Sequence, residues 1–289
     1  MKIYLLLLFS TMTCASAQLP AWQQVLPAYA NKKIVSIIKA EGSTGASDTP
    51  GPLMSGAIPT SVVKTTSTAN HSRTISIMPE ASGYKIARTF TRIFYRSKDS
   101  QSTSEYDSEN LFERDQLASA QGQQYDPLIK KKHITSYKPG ETTTVLDTYD
   151  AIWIDDVPIL VPIAELVGIV MPIANQKVLA PGYRWKDQFK LGNHRVSNEF
   201  KVVSVAKGVA TVEINGQMDD EISPTSSFAY GNIVFIKTSY TGTLHFNMDN
   251  LLITSGTFLT TIERSIQIMG SYNNSKSVVK SEITNTIAK

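Results

Sequence analysis

Cysteine is almost absent from this sequence: Cys14 is the only one. It stands inside an N-terminal stretch that reads as a cleavable export signal, so the mature chain is expected to hold no thiol. That excludes disulfide staples, thiolate metal ligands and covalent thiol catalysis. Histidine is scarce too. His71, His133, His194 and His245 stand singly, so a zinc site would have to draw them from four distant segments. Each is expected at an exposed position or on a strand face, and neither a metal nor a cofactor is expected. No Gly-x-Ser-x-Gly elbow, Gly-x-Gly-x-x-Gly loop or phosphate loop occurs. Ser61 to Lys64 and Ser277 to Lys280 fit Ser-x-x-Lys, but both segments alternate like strands, which points residues three apart to opposite faces. No catalytic residue is therefore assigned.

A strong charge of one sign is missing as well. The formal charge is +3, and the longest basic run is Lys130-Lys131-Lys132. Three lysines without a neighbouring arginine or stacking platform read as a solvated strand end, and nucleic acid is not expected as a partner.

Long apolar runs are few and short. Ile3 to Phe9 would rise only about 10 Å as a helix, against about 30 Å of bilayer hydrocarbon. Ala15-Ser16-Ala17 follows with the small residues that a signal peptidase accepts, which makes Gln18 the expected first mature residue. Lipidation of Cys14 is the alternative, but Thr11-Met12-Thr13 lies ahead of it where a lipoprotein signal carries Leu and small residues. The protein is thus expected to be exported, to the periplasm or the medium.

The second apolar run is IDDVPILVPIAELVGIVMPIAN, Ile154 to Asn175, broken by Pro158, Pro162, Glu165 and Pro172. Between Pro162 and Pro172 a helix over Ile163–Met171 would span about 14 Å, too short to cross a membrane. Ile163, Leu166, Val167 and Val170 would share one face of it. Burial between two β-rich halves is the first expectation. Service as the wall of an apolar ligand site, with those four residues as the contacts, is the sharper one.

The rest of the chain reads as strands. Ile34–Ile38, Arg73–Met78, Tyr84–Tyr95, Leu128–Tyr137, Thr142–Tyr149, Arg184–Leu191, Phe200–Val205, Val209–Asn215, Ile233–Tyr240, Leu244–Asn247, Phe258–Met269 and Ser277–Ile287 carry β-branched or alternating patterns. In Tyr84–Tyr95 the residues Tyr84, Ile86, Phe90 and Phe94 share a parity. Residues 41–60, rich in Gly, Ser, Thr and Pro, read as a long loop, and Asn110–Gln121 as a short capped helix. The fold expected is mainly β: antiparallel sheets as a half-barrel or sandwich, with a signal at 1–17, β-rich halves at 18–150 and 181–289, and a connector with a short buried helix at 151–180.

Carboxylates are the one enriched chemistry: Asp147, Asp150, Asp155 and Asp156 around Trp153, and Asp219, Asp220 and Glu221. A carboxylate pair beside an aromatic platform would suit glycoside hydrolysis, and loop oxygens can hold Ca²⁺. Acidic residues also keep loops and sheet edges soluble, and that is the expectation here.

The segments LAPGYRW (179–185), EFKVVSVAKGVATVEINGQ (199–217) and YTGTLHFNMDNLLITSG (240–256) resemble a pattern found in uncharacterised β-rich exported proteins of Gram-negative bacteria. EYDSE (105–109) and YDPLIKKKHITSYKPGE (125–141) resemble the corresponding part of an upstream repeat. The resemblance implies architecture and envelope location, and sheets similar to those of periplasmic lipoprotein carriers, in which an open half-barrel shields an apolar ligand. The function expected is non-catalytic binding of an apolar small molecule or an envelope protein. A carbohydrate-active hydrolase built on the Asp cluster and a structural envelope component are the alternatives.

Overall fold

Apolar and polar residues alternate along most of this chain, and a half-buried strand is the conformation that sends them to opposite sides. The computed structural model describes residues 24–49, 63–80, 84–110, 129, 132–137, 169–173, 179–191, 194–220, 227–228, 231–268 and 271–288. Its strands are β1 (Lys33–Thr49), β2 (Val63–Pro79), β3 (Tyr84–Lys98), β4 (Thr103–Asp107), β5 (Lys132–Tyr137), β6 (Arg184–Leu191), β7 (His194–Ala206), β8 (Val209–Asp220), β9 (Ser227–Phe228), β10 (Gly231–Asn247), β11 (Ile253–Ile268) and β12 (Ser271–Ile287). All pair antiparallel in one open sheet of order β4-β3-β2-β1-β12-β11-β10-β8-β7-β6, with β5 added to β3 and β9 to β10. The mainly β, open-sheet expectation is met. The strands on either side of residues 151–180 belong to the same sheet, because β1 pairs with β12 from Ile34↔Ile287 to Thr49↔Tyr272.

One face is the core. Ile34, Ile38 and Ala40 of β1 point into it with Ile75 and Ile77 of β2, Val279 and Ile283 of β12, Phe258 of β11, Leu244 and Phe246 of β10, and Val212 and Ile214 of β8. The opposite face carries charged residues paired across neighbouring strands: Arg96–Glu105, Lys186–Glu199, Lys201–Glu213 and Lys276–Glu263. Pairs this exposed contribute little to stability. Lys207 (φ 50°) and Gly208 (φ 75°) form the β7–β8 hairpin, the left-handed geometry that a two-residue turn between twisted strands demands.

Four expectations are corrected. Glu41–Thr49 is strand rather than loop: β1 is paired with β2 as far as Ala46 and with β12 as far as Thr49, so these ladders of backbone bonds outweigh the weak strand preference of its Gly and Ser residues. Likewise Ile233–Tyr240 and Leu244–Asn247 are one strand, β10. In β3 the side-chain parity flips at a bulge. Arg73 faces Phe90 while Ser72 faces Arg92, which leaves Thr91 extra, its Oγ1 donating to the Ser72 carbonyl at 3.0 Å. Tyr84, Ile86 and Phe90 therefore point inward as expected, but Ile93 takes the place read for Phe94.

The fourth concerns the apolar run. Its described part, Ile169–Ile173, is not helical. Val170 bridges Leu252, Met171 N donates to the Leu251 carbonyl at 2.9 Å, and Ile253 N donates to the Ile169 carbonyl at 2.9 Å. Two β-branched residues and the proline after Met171 disfavour the α conformation at this point. Ile163, Leu166 and Val167 lie outside the described residues, as does the helix read over 111–121.

Candidate ligand-binding face

The core-facing side of the sheet is where the described residues gather unusual chemistry. At one end it is capped by Leu26 and Tyr29 of a 3-10 turn (Leu26–Tyr29), by Ile169–Ile173, and by Leu251 and Leu252 of the β10–β11 turn. Tyr29 ties this cap together, its hydroxyl donating to the Asn250 carbonyl at 2.7 Å, and burial raises its pKa. Val170, the described member of the four proposed contact residues, is 1 % exposed and sits in this cap.

Next to the cap the face turns polar. Ser36 of β1 stands opposite Arg73 of β2 and Asn285 of β12, and all three are buried. Asn285 Nδ2 donates to the Ile253 carbonyl at 2.8 Å. Arg73 faces Phe90 on β3, its guanidinium carbon 6.0 Å from the ring centre. Arg88, two residues before Phe90, is also inward, and both arginines are 0 % exposed. His71, 1 % exposed, meets Phe90 edge-on at 6.4 Å between ring centres. Burial, reinforced by the Arg73 charge, lowers the His71 pKa to about 3, so the imidazole is neutral near neutral pH. Of the two expected placements, exposed or on a strand face, His71 takes the second, on the buried face of β2. Parity held the signal: His71, Arg73, Ile75 and Ile77 alternate in step, so the strand that buries the isoleucines also buries the two basic groups.

Further along, the face holds a second polar point. The Tyr240 hydroxyl donates to Asn198 Oδ1 at 2.5 Å, with its ring lying over Gly216 on the strand between them. Burial, then the nearby Asp187 charge, holds the Tyr240 pKa well above its ordinary value, so the phenol stays protonated. Beside it Tyr183, Trp185 and Phe200 stack, with ring centres 5.8 and 4.8 Å apart.

The outer face has a groove of about 640 Å³ over β6, β7, β8 and β10, bordered by Lys186, Glu199, Lys201, Glu213, Thr241 and Thr243. Lys186 pairs with Glu199 and Lys201 with Glu213 across strands there, Lys201 Nζ lying 3.0 Å from Glu213 Oε2. The groove is the surface of a charge ladder and converges no reactive group.

Other sequence candidates fall as follows. Ser277 is buried and Lys280 exposed on the other side of β12, which separates that Ser-x-x-Lys pair. His245 Nδ1 lies 3.1 Å from Thr211 Oγ1 across β10 and β8. Asp219 is exposed and accepts from its neighbour Gln217. Asp147, Asp150, Trp153, Asp155, Asp156 and Glu221 lie outside the described residues. Among the described residues no group of three or more His, Cys, Asp or Glu could hold a metal, and no helix is long and apolar enough to cross a membrane.

No protein-family model matches the chain, and no curated protein matches its sequence. Solved structures with some likeness include one described as lipid–protein interactions in lipovitellin, at 11 % identity and a TM-score of 0.43 over 90 % of this chain. This chain spans only 25 % of that one. An outer-membrane channel from Pseudomonas putida F1 aligns at 8 % identity and a TM-score of 0.27, covering 88 % of this chain and 96 % of the channel. OccK5 (OpdH) of Pseudomonas aeruginosa aligns at 5 % identity and a TM-score of 0.26, covering 89 % of this chain and 99 % of OccK5. Likeness at this level says nothing of what the present chain binds.

Proposed function

We propose that this chain is a non-catalytic, exported binding protein whose core-facing sheet surface takes an apolar ligand. The observation that carries the reading is the inner face itself, buried from β3 to β7 across an open sheet and interrupted by a few buried polar groups. Ligand pockets share this character: mostly hydrophobic walls with a small number of placed polar groups that set orientation. Here those groups are the Ser36–His71–Arg73–Arg88 cluster and the Tyr240–Asn198 pair. The signal-like N-terminus supports export, and the scattered histidines and paired outer carboxylates support binding without catalysis.

Native mass spectrometry of the protein purified from its own host, followed by solvent extraction, checks this. Lipid-sized adducts released by the solvent are expected. A bare polypeptide mass with an empty extract would refute the proposal.

A further inference from the structure

We propose that the cluster of Ser36, His71, Arg73 and Arg88 is a headgroup site: it receives the anionic end of an amphiphile whose chain lies along the apolar inner face. This rests on the binding function above and names its ligand class. The cluster has four parts on three adjacent strands. Arg73 and Arg88 bring two permanent positive charges to the core side of β2 and β3, each 0 % exposed. Ser36 stands directly across from Arg73 on β1. His71 lies two residues from Arg73 on the same face, and both of its ring nitrogens, like Ser36 Oγ, are buried without a hydrogen-bond partner.

Buried polar atoms without partners are rare in native proteins, and leaving one costs about 1–3 kcal/mol. Three such atoms beside two arginines make a coherent set. A hydroxyl and an imidazole N–H can donate to one oxyanion, while the guanidiniums supply its countercharge and fix its orientation. Both arginines also make contacts within the protein, so their positions are built into the fold.

The surroundings select an amphiphile over a free anion. Ile34, Ile38, Ile75, Ile86, Phe90 and Ile93 surround the cluster, all buried on the same face. An inorganic anion would have to shed its whole hydration shell among these side chains. A carboxylate or phosphate carried on an acyl chain loses water on one end only and gains burial of its chain on the other.

The test uses the full chain after delipidation and compares matched ligand pairs by displacement of a fluorescent fatty acid. Oleate is set against methyl oleate, and dioleoyl phosphatidylglycerol against dioleoylglycerol, which separates a carboxylate head from a phosphate head. The proposal expects the anionic member of at least one pair to bind about ten-fold tighter or more, the scale of a charge-assisted contact. It also expects Ser36→Ala and Arg73→Gln to cut that preference while leaving methyl oleate unchanged. If Arg73→Gln does not fold, the wild-type pairs and Ser36→Ala decide. Equal affinity within both pairs overturns the headgroup site and leaves apolar binding standing. No binding of any of the four overturns both.

Discussion

Replacing Gly216 with alanine is expected to destabilise the fold by about 3 kcal/mol, the upper range for overpacking a tight core. An added Cβ would lie 2.2 Å from Tyr240 Cε2, 2.3 Å from Cζ and 2.6 Å from Asn198 Oδ1. The backbone at Gly216 is ordinary strand, so space and not φ is what demands glycine there. The ring has little room to yield. Tyr240 is fully buried, and its hydroxyl is anchored to Asn198 across the strand that carries Gly216. The two ring contacts disappear with the ring, and the Asn198 amide, released from the tyrosine hydroxyl, can turn away from the added Cβ. In a Tyr240→Ala background the same glycine substitution is expected to cost under about 1 kcal/mol, and the coupling of the double-mutant cycle isolates the contact. Urea unfolding of the four proteins measures it. Equal costs in both backgrounds would mean that the ring does not rest on Gly216.

The second large effect is in acid. The unfolded chain titrates His71 near 6.5, whereas in the fold its pKa is lowered to about 3 by burial and by Arg73. Above pH 6.5 the imidazole is neutral in both states and its contribution is fully present. As pH falls below that value the unfolded state takes up a proton that the folded state refuses, and stability drains away until about pH 3. The difference in pKa corresponds to about 5 kcal/mol across the window. Carboxylates on the outer face work in the same direction. Lys186 and Lys276 hold Glu199 and Glu263 below the usual range, so the raw acid profile mixes contributions. The difference between wild type and His71→Leu removes them. Between pH 7.5 and 4 the unfolding free energy of the wild type should fall by about 3 kcal/mol more than that of His71→Leu if His71 is buried neutral. Curves that stay parallel would place His71 in solvent.

Much of this architecture was legible from residue order, for one physical reason. A sheet with one buried face imposes a period of two, and Tyr84-Ile86-Phe90 and Val279-Ile283-Ile287 display it openly. What could not be read were features decided by pairing. Gly42, Gly45 and Ala46 look like loop residues until β2 and β12 are found on either side of them. The bulge at Thr91 leaves no mark in composition, yet it exchanges Ile93 for Phe94 in the core. Ile169–Met171 looked helical because three apolar residues in a row fit either period, and the bridge to Leu252 selects the extended form. The candidate site was missed for a different reason. His71 was read only as exposed or on a strand face, and Arg73 only as the start of a strand, although their parity places them with Ile75 and Ile77. Buried basic residues violate the usual partition, and such local conflicts are where function concentrates.

The central claim is that the inner face of the sheet holds an apolar ligand. A photoactivatable fatty acid, irradiated with the full chain and mapped by peptide mass spectrometry, tests it most directly. Cross-links are predicted on inward residues such as Ile38, Phe90, Phe258 and Ile283, and absent from outward neighbours on the same strands such as Lys39, Leu259 and Glu282. Labelling confined to the outward residues, or no saturable labelling at all, would contradict it.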